Sequence, residues 1–395
     1  MHAATPPNAV GENISELRKT SELTQDALAH RAKISKSLLS KIEVGDRACT
    51  PAVATNIAQA LGVTTQDLYG QPYPESNADP QHIIDLRSAT RRYAHPAGDA
   101  PDPRQLLADV NRAAALRADT AYNELAQMLP TLVRQATVHA HQADDPAAWL
   151  VLVDVYSCAY TIAHRLGYPD LAELIVARQQ WAATRTGTPI AEAAAAWTEA
   201  GTFQSAGDYD GGLDVVQRAI THLRQLPNDS TESIVAAGSL HLRGITLASR
   251  ARDKNEAQAH MERAYQLADQ LPEGDLLTHN LTFGTGNTAL HELAAWVELD
   301  DPDRAVSMST ELEGNPLRGL RPTRTCHLHI DAARAYLLKG DRDGALTALM
   351  RARETAPQMA RIHPMAREVL RVLVSLHRRS KPELAALARW AGVRG

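Results

Sequence analysis

The chain has 395 residues, more than one ordinary domain needs, and its 44% apolar and 22% charged content is usual for a cored globular protein. A net charge of -5 excludes a basic nucleic-acid coat, so any contact with DNA is local. Cys49, Cys158 and Cys326 form no C-x-x-C pair, which argues against a thiolate metal site and suits a reducing compartment.

Aromatics make up only 4% of the chain while alanine recurs throughout, a composition that fits closely packed helices. Four of the seven lysines lie between Lys19 and Lys41. No apolar run reaches membrane-spanning length, and MHAATPPNAVGENI has neither a basic n-region nor an apolar h-region. A cytoplasmic protein with no membrane partner is expected.

The first unit, residues 8–70, is expected to hold five short helices. Thr24 is placed to cap the second, with Ala27, Leu28 and Ala32 on its inner face. Ser35 caps the third, whose stripe Leu38, Leu39 and Ile42 turns inward until Gly45 stops it. Pro51 suits the first turn of a fourth helix ending at Gly62, and Thr64 or Thr65 caps the fifth.

The third helix is two-faced. Lys36, Ser37, Ser40 and Lys41 are left outward, and residues 31–47 hold five basic and two acidic side chains. Short hydroxyls and flexible cations on an exposed helix face can reach phosphates and base edges in a major groove. A solvated helical bundle has the same composition; the order of residues favours the groove reader. The run Thr24-Gln25-x-x-Leu28-Ala29, Ile34-Ser35-x-Ser37-x-Leu39-Ser40-Lys41-Ile42-Glu43-x-Gly45, Ala58-x-Ala60-Leu61-Gly62-Val63 resembles the lambda-repressor/Cro-like (XRE) helix-turn-helix family over nearly the whole unit.

That resemblance implies double-stranded DNA as a partner. By it, Gln25 touches phosphate at the start of the positioning helix. Ser35, Lys36, Ser37, Ser40 and Lys41 lie on the reading helix, and Arg47 approaches phosphate or the minor groove from the loop beyond. It further implies a homodimer on a palindromic operator. Antitoxins share the domain. Lys33 departs from the family, which has Gly or Asn in that turn, so a lysine there must accept a left-handed backbone or the turn must differ.

Residues 71–104 are rich in proline (Pro72, Pro74, Pro80, Pro96, Pro101, Pro103) and read as a linker with one short helix over residues 81–93. From 105 to 395 apolar residues recur at helical spacing, with breaks at 167–170, 207–212, 252–255, 300–303 and 340–344 and no strand pattern. A small-residue register falls at Ala172, Gly212, Ala257, Ala305 and Ala345, with spacings of 40, 45, 48 and 40.

With Ala335-Tyr336, Gly340-Asp341, Ala345-Leu346, Ala352 and Pro357 as the clearest copy, this domain resembles the tetratricopeptide repeat. The expected fold is therefore all-α: a five-helix head, then a helical solenoid with a concave groove. The family's groove offsets select Asp154, His164, Arg165, Gln204, Ser239, Arg250, Asn287, His327 and Arg334 for ligand contact. Their mixed charge names no single ligand, and ordinary wet helix surface has the same composition.

Head and repeats together resemble the bacterial peptide-responsive (RRNPP-type) regulators, which implies a signalling peptide or small molecule in the groove. A protein partner, such as another regulator or a toxin, is the alternative. No phosphate-binding loop, metal constellation or catalytic triad stands out, so neither a cofactor nor enzyme activity is expected.

Overall fold

The computed structural model describes residues 10–73, 78–224, 230–272, 274–315, 320–376 and 381–393; Asn8, Ala9 and Pro74 lie outside these. Among the described residues, α1 (Val10–Thr20), α2 (Gln25–Arg31), α3 (Lys36–Glu43), α4 (Pro51–Leu61) and α5 (Thr65–Tyr69) make the head. Its caps follow local chemistry. Thr24 Oγ1 accepts from Ala27 N, Ser35 Oγ from Leu38 N, and Thr64 forms a capping box with Asp67. Leu28, Leu39, Ile42, Ile57 and Leu68 form a fully buried core.

Next come α6 (Pro80–Arg91), α7 (Pro103–Ala118) and α8 (Tyr122–Ala143). Pro80 and Pro103 each start a helix, where a missing amide is harmless. Helix α6 packs on α8 and α10. Five antiparallel helix pairs follow: α9 (Pro146–Arg165) with α10 (Pro169–Thr186), α11 (Pro189–Ala206) with α12 (Tyr209–Leu223), α13 (Thr231–Arg250) with α14 (Lys254–Ala268), α15 (Thr285–Glu298) with α16 (Pro302–Gly314), and α17 (Pro322–Leu338) with α18 (Arg342–Thr355). Helices α19 (Pro357–Ile362), α20 (Pro364–Leu376) and α21 (Pro382–Ala391) close the far end.

The small-residue register falls at the same place each time. Ala172, Gly212, Ala257, Ala305 and Ala345 are each the fourth residue of the second helix of a pair, and all five are buried. Helix axes can approach only where no side chain intervenes. The fold is all-α, a helix-turn-helix head on a tetratricopeptide-like solenoid.

Helix α9 is long and apolar enough to cross a membrane by length and composition. It lies inside the repeat body against α8, α10 and α11, so its apolar character is that of a core helix.

One expectation fails: the C-terminal part is not all helix. Leu276–Thr278 (β1) and Leu281–Phe283 (β2) pair antiparallel between α14 and α15, around His279 and Asn280, both at positive φ. The two-residue turn needs two left-handed residues, and His-Asn supplies them without glycine.

Candidate DNA interface and ligand cleft

The reading face is assembled by one buried knot. Glu43, at the end of α3, accepts two bonds from Arg18 of α1, Nε at 2.7 Å and Nη2 at 3.0 Å. It takes a third from Gln25 Nε2 at 2.8 Å. The Arg18 guanidinium and the Gln25 amide together hold the Glu43 carboxyl below its ordinary pKa against burial, and Glu43 in turn raises that of Arg18. So the one carboxylate on the reading helix is paired from within the head.

Ser35, Lys36, Ser37, Lys41 and Arg47 are exposed and Ser40 is half-buried. Lys36 Nζ lies 2.7 Å from Asp26 of α2, an exposed pair that is easily released. Gln25 stands apart: its amide nitrogen is on Glu43, so it ties α2 to α3. Lys33 takes the left-handed backbone that its place in the turn demands, at φ 52°. Val44, 63% exposed at the end of α3, extends this face with an apolar patch that the sequence reading did not select.

The loop after α3 is gripped from the far end of the chain. Glu368 of α20 accepts from Cys49 N at 3.1 Å, and Arg371 clasps Glu368 at 3.0 Å while reaching Arg47 O at 3.4 Å. Gly45, at φ 88°, suits the left-handed turn, and a Cβ there would sit 2.7 Å from Arg371 Nη1 and displace it. On its other side the head meets the turn of the second pair, with Thr55 Oγ1 3.2 Å from Tyr209 Oη and Thr65 Oγ1 donating to Ser205 O at 3.1 Å.

Between head and repeats lies a cleft of about 300 Å³. Every helix-pair residue lining it comes from the first helix of its pair, α9, α11, α13, α15 or α17. Thr55, Thr65, Gln66 and Tyr69 of the head form a wall, and His363, Pro364 and Met365 another.

Of the nine groove residues selected by offset, His164, Arg165, Gln204, Arg250, Asn287, His327 and Arg334 line this cleft. Asp154 and Ser239 do not. The hairpin covers that end of α9 and α13: Asn280 Nδ2 donates to Asp154 O at 3.0 Å, the Asp154 carboxylate is 3.2 Å from His279 Nδ1, and Phe283 packs on Gly238. Sequence reasoning missed Arg117, Arg243, Arg324, His291 and His363, all of which line the cleft.

Its histidines are held neutral. Burial, reinforced by nearby arginines, takes His164 and His291 down to about 3, and His327 and His363 are pushed well below their ordinary value in the same way. His329, two residues from His327, points instead to Glu313. Among the described residues no three His, Cys, Asp or Glu side chains are grouped to hold a metal ion.

Fold and geometry define a class: a helix-turn-helix head joined to a helical-repeat body. Residues 14–68 match the family described as helix-turn-helix, and this unit is a DNA-binding domain of the lambda-repressor/Cro-like type. No curated protein matches the chain. Among solved structures it is similar to a PrgX point mutant, at 12% identity and TM-score 0.29, over 84% of this chain and 95% of that one. It is similar to the PrgX/cCF10 complex at 11% identity and TM-score 0.29, over 84% and 93%. Against the P58(IPK) TPR domain the figures are 13%, TM-score 0.23, 94% and 100%. Likeness at this level leaves the functional reading to the residues themselves.

Proposed function

We propose that the chain is a sequence-specific transcription regulator whose grip on DNA answers to a peptide or small molecule held between repeats and head. The observation that carries this reading is the shared wall: Thr55, Thr65, Gln66 and Tyr69 line the same cleft as the concave faces of α9 to α17. A ligand there contacts both units at once. It shifts the equilibrium between head positions by its difference in affinity for them.

Helix α20 gives the shift a lever. His363, Pro364 and Met365 face the cleft, and three to six residues further on Glu368 and Arg371 hold residues 45–49. As a homodimer the protein would set two α3 helices roughly 34–36 Å apart on successive major-groove faces. A displacement of the head then weakens both half-sites together.

Selection from a random duplex library by the full chain tests this. We expect enriched sequences with two-fold symmetry and half-sites one helical turn apart, and a changed yield when an ultrafiltrate of the source cells is added. Absence of any enriched sequence contradicts DNA reading. A yield indifferent to the ultrafiltrate contradicts the ligand part.

A further inference from the structure

We propose that the cleft is an oxyanion site, its ligand a small molecule or short peptide bearing acidic groups, carboxylate or phosphoryl, seated among Arg117, Arg165, Arg243 and Arg324. This rests on the ligand-gated reading above and names the chemistry of its ligand.

The four guanidiniums come from four helices, α7, α9, α13 and α17, and converge on one cleft. Among the described residues none of the four forms a salt bridge with a carboxylate. Arg117 Nη2 donates to Asn280 O at 2.7 Å, Arg165 Nη2 to His327 Nε2 at 3.1 Å, and Arg243 Nη1 to Gln204 Oε1 at 2.8 Å. Arg243 also stacks 4.0 Å over the Trp197 ring. Among the described residues the Arg324 guanidinium makes no hydrogen bond or ion pair.

The acids on the cleft wall are already taken, and Asp275 behind it keeps one oxygen, Oδ2, without a hydrogen-bond partner. Glu298 serves Arg334 at 2.9 Å and Arg250 at 3.5 Å, while Asp331 serves Arg334 at 2.8 Å. Behind the lining, Asp154 is on His279, and Asp275 Oδ1 accepts from Asn287 N at 3.1 Å at the start of α15.

Like charges in a concave, poorly solvated space repel strongly. Burial, with repulsion from Arg117, Arg165 and Arg243, lowers Arg324 to about 10 against the opposing pull of Asp275. Arg243 is lowered to about 10 as well, by burial and by Arg250 and Arg165. An entering anion relieves that repulsion; a neutral or cationic ligand does not.

Open donors stand beside these guanidiniums, together with one open acceptor, Asn287 Oδ1. Tyr122, only 1% exposed, has no partner for its hydroxyl, and Arg117 Nε and Arg243 Nε lack acceptors. Buried donors without acceptors are uncommon, and an oxyanion satisfies several at once. The closed head and a volume of about 300 Å³ exclude a duplex as the occupant.

Thermal unfolding of the full chain tests the proposal, at fixed ionic strength made up with chloride. The probes are pyrophosphate for the phosphoryl source, triglutamate for the carboxylate source and glycerol as a neutral control. We expect one of the anions to raise the melting temperature by about 3 °C and glycerol to leave it unchanged. Arg324→Gln should melt higher than the wild type without ligand and lose the response, whereas Arg324→Lys retains part of it. A purely structural arginine would lower the melting temperature in both variants.

No shift with either anion, or an undiminished shift in Arg324→Gln, overturns the site. DNA retardation run in parallel separates the two readings. Anions that stabilise without altering retardation leave the site standing and remove the gating. Anions that do nothing, beside an ultrafiltrate that alters retardation, leave the gating and remove the oxyanion site.

Discussion

At the scale of single residues, the head is organised by two uncommon ones. Lys33 carries a left-handed backbone at φ 52° on an exposed turn. That conformation disfavours a side chain by about 1–2 kcal/mol, more than glycine adds in unfolded-chain entropy. Lys33→Gly should therefore stabilise the protein by about 0.5–1 kcal/mol in denaturant unfolding; a loss of stability would show that the side chain does something the structure does not reveal. Glu43 is the opposite case, a 6% exposed carboxylate serving α1 and α2 together. Glu43→Gln should destabilise the head by roughly 2–3 kcal/mol, because Arg18 loses its charge partner in a half-enclosed place. Since the folded pKa of Glu43 is lowered, the stabilisation it gives is present above its ordinary value and disappears as pH falls through the lower one. The acid-unfolding curve of the variant should thus be flatter below about pH 4.5.

At the scale of elements, most boundaries could be read from the sequence because capping and the small-residue register are local. Thr24, Ser35 and Thr64 cap where expected, and the five register positions all begin second helices. The hairpin at 276–283 escaped because its strands are three residues long and its turn is His-Asn. Its absence from the sequence reading also misplaced Asp154 and Ser239, which it covers. A further register was available: fourteen residues before the small residue stand Arg243, His291 and Asp331, all in the cleft. Reading offsets of 14, 11 and 7 as one helical stripe would have added Arg243 to Arg165, Arg250 and Arg334, whereas Arg117 and Arg324 lie off that stripe. The grip of α20 on the head had no such signal, since it joins positions some 320 residues apart. Arg371→Ala leaves Glu368, 2% exposed, without its charge partner. Amide hydrogen exchange should then quicken at residues 45–50 while α2 stays protected; unchanged exchange there would remove α20 from the coupling.

At the scale of the whole molecule, the arrangement is a cationic cleft roofed by a DNA-binding head. Its buried histidines give the protein a characteristic pH response. His164, His241 and His291 sit at about 3, and His327 and His363 are lowered well below the ordinary range. On acidification the unfolded chain takes up protons at about 6.5 that the folded protein refuses, so stability falls as pH drops from about 7.5 to 5.5. His260 and His329 are lowered too, so His279, raised by Asp154, works in the other direction as one against seven. The ligand-free protein should melt at a lower temperature at pH 5.5 than at pH 7.5; a melting temperature that rises with acid would contradict the neutral, buried cluster.

The most direct test of the account is a fluorescence-anisotropy titration of the full chain on the duplex upstream of its own gene, across a range of salt, for the wild type and for Lys36→Ala with Lys41→Ala. If α3 enters the groove with its cationic side outward, the double variant binds at least about tenfold more weakly, and its salt slope is shallower by about 2. Equal affinity and an equal slope in the two proteins would contradict it.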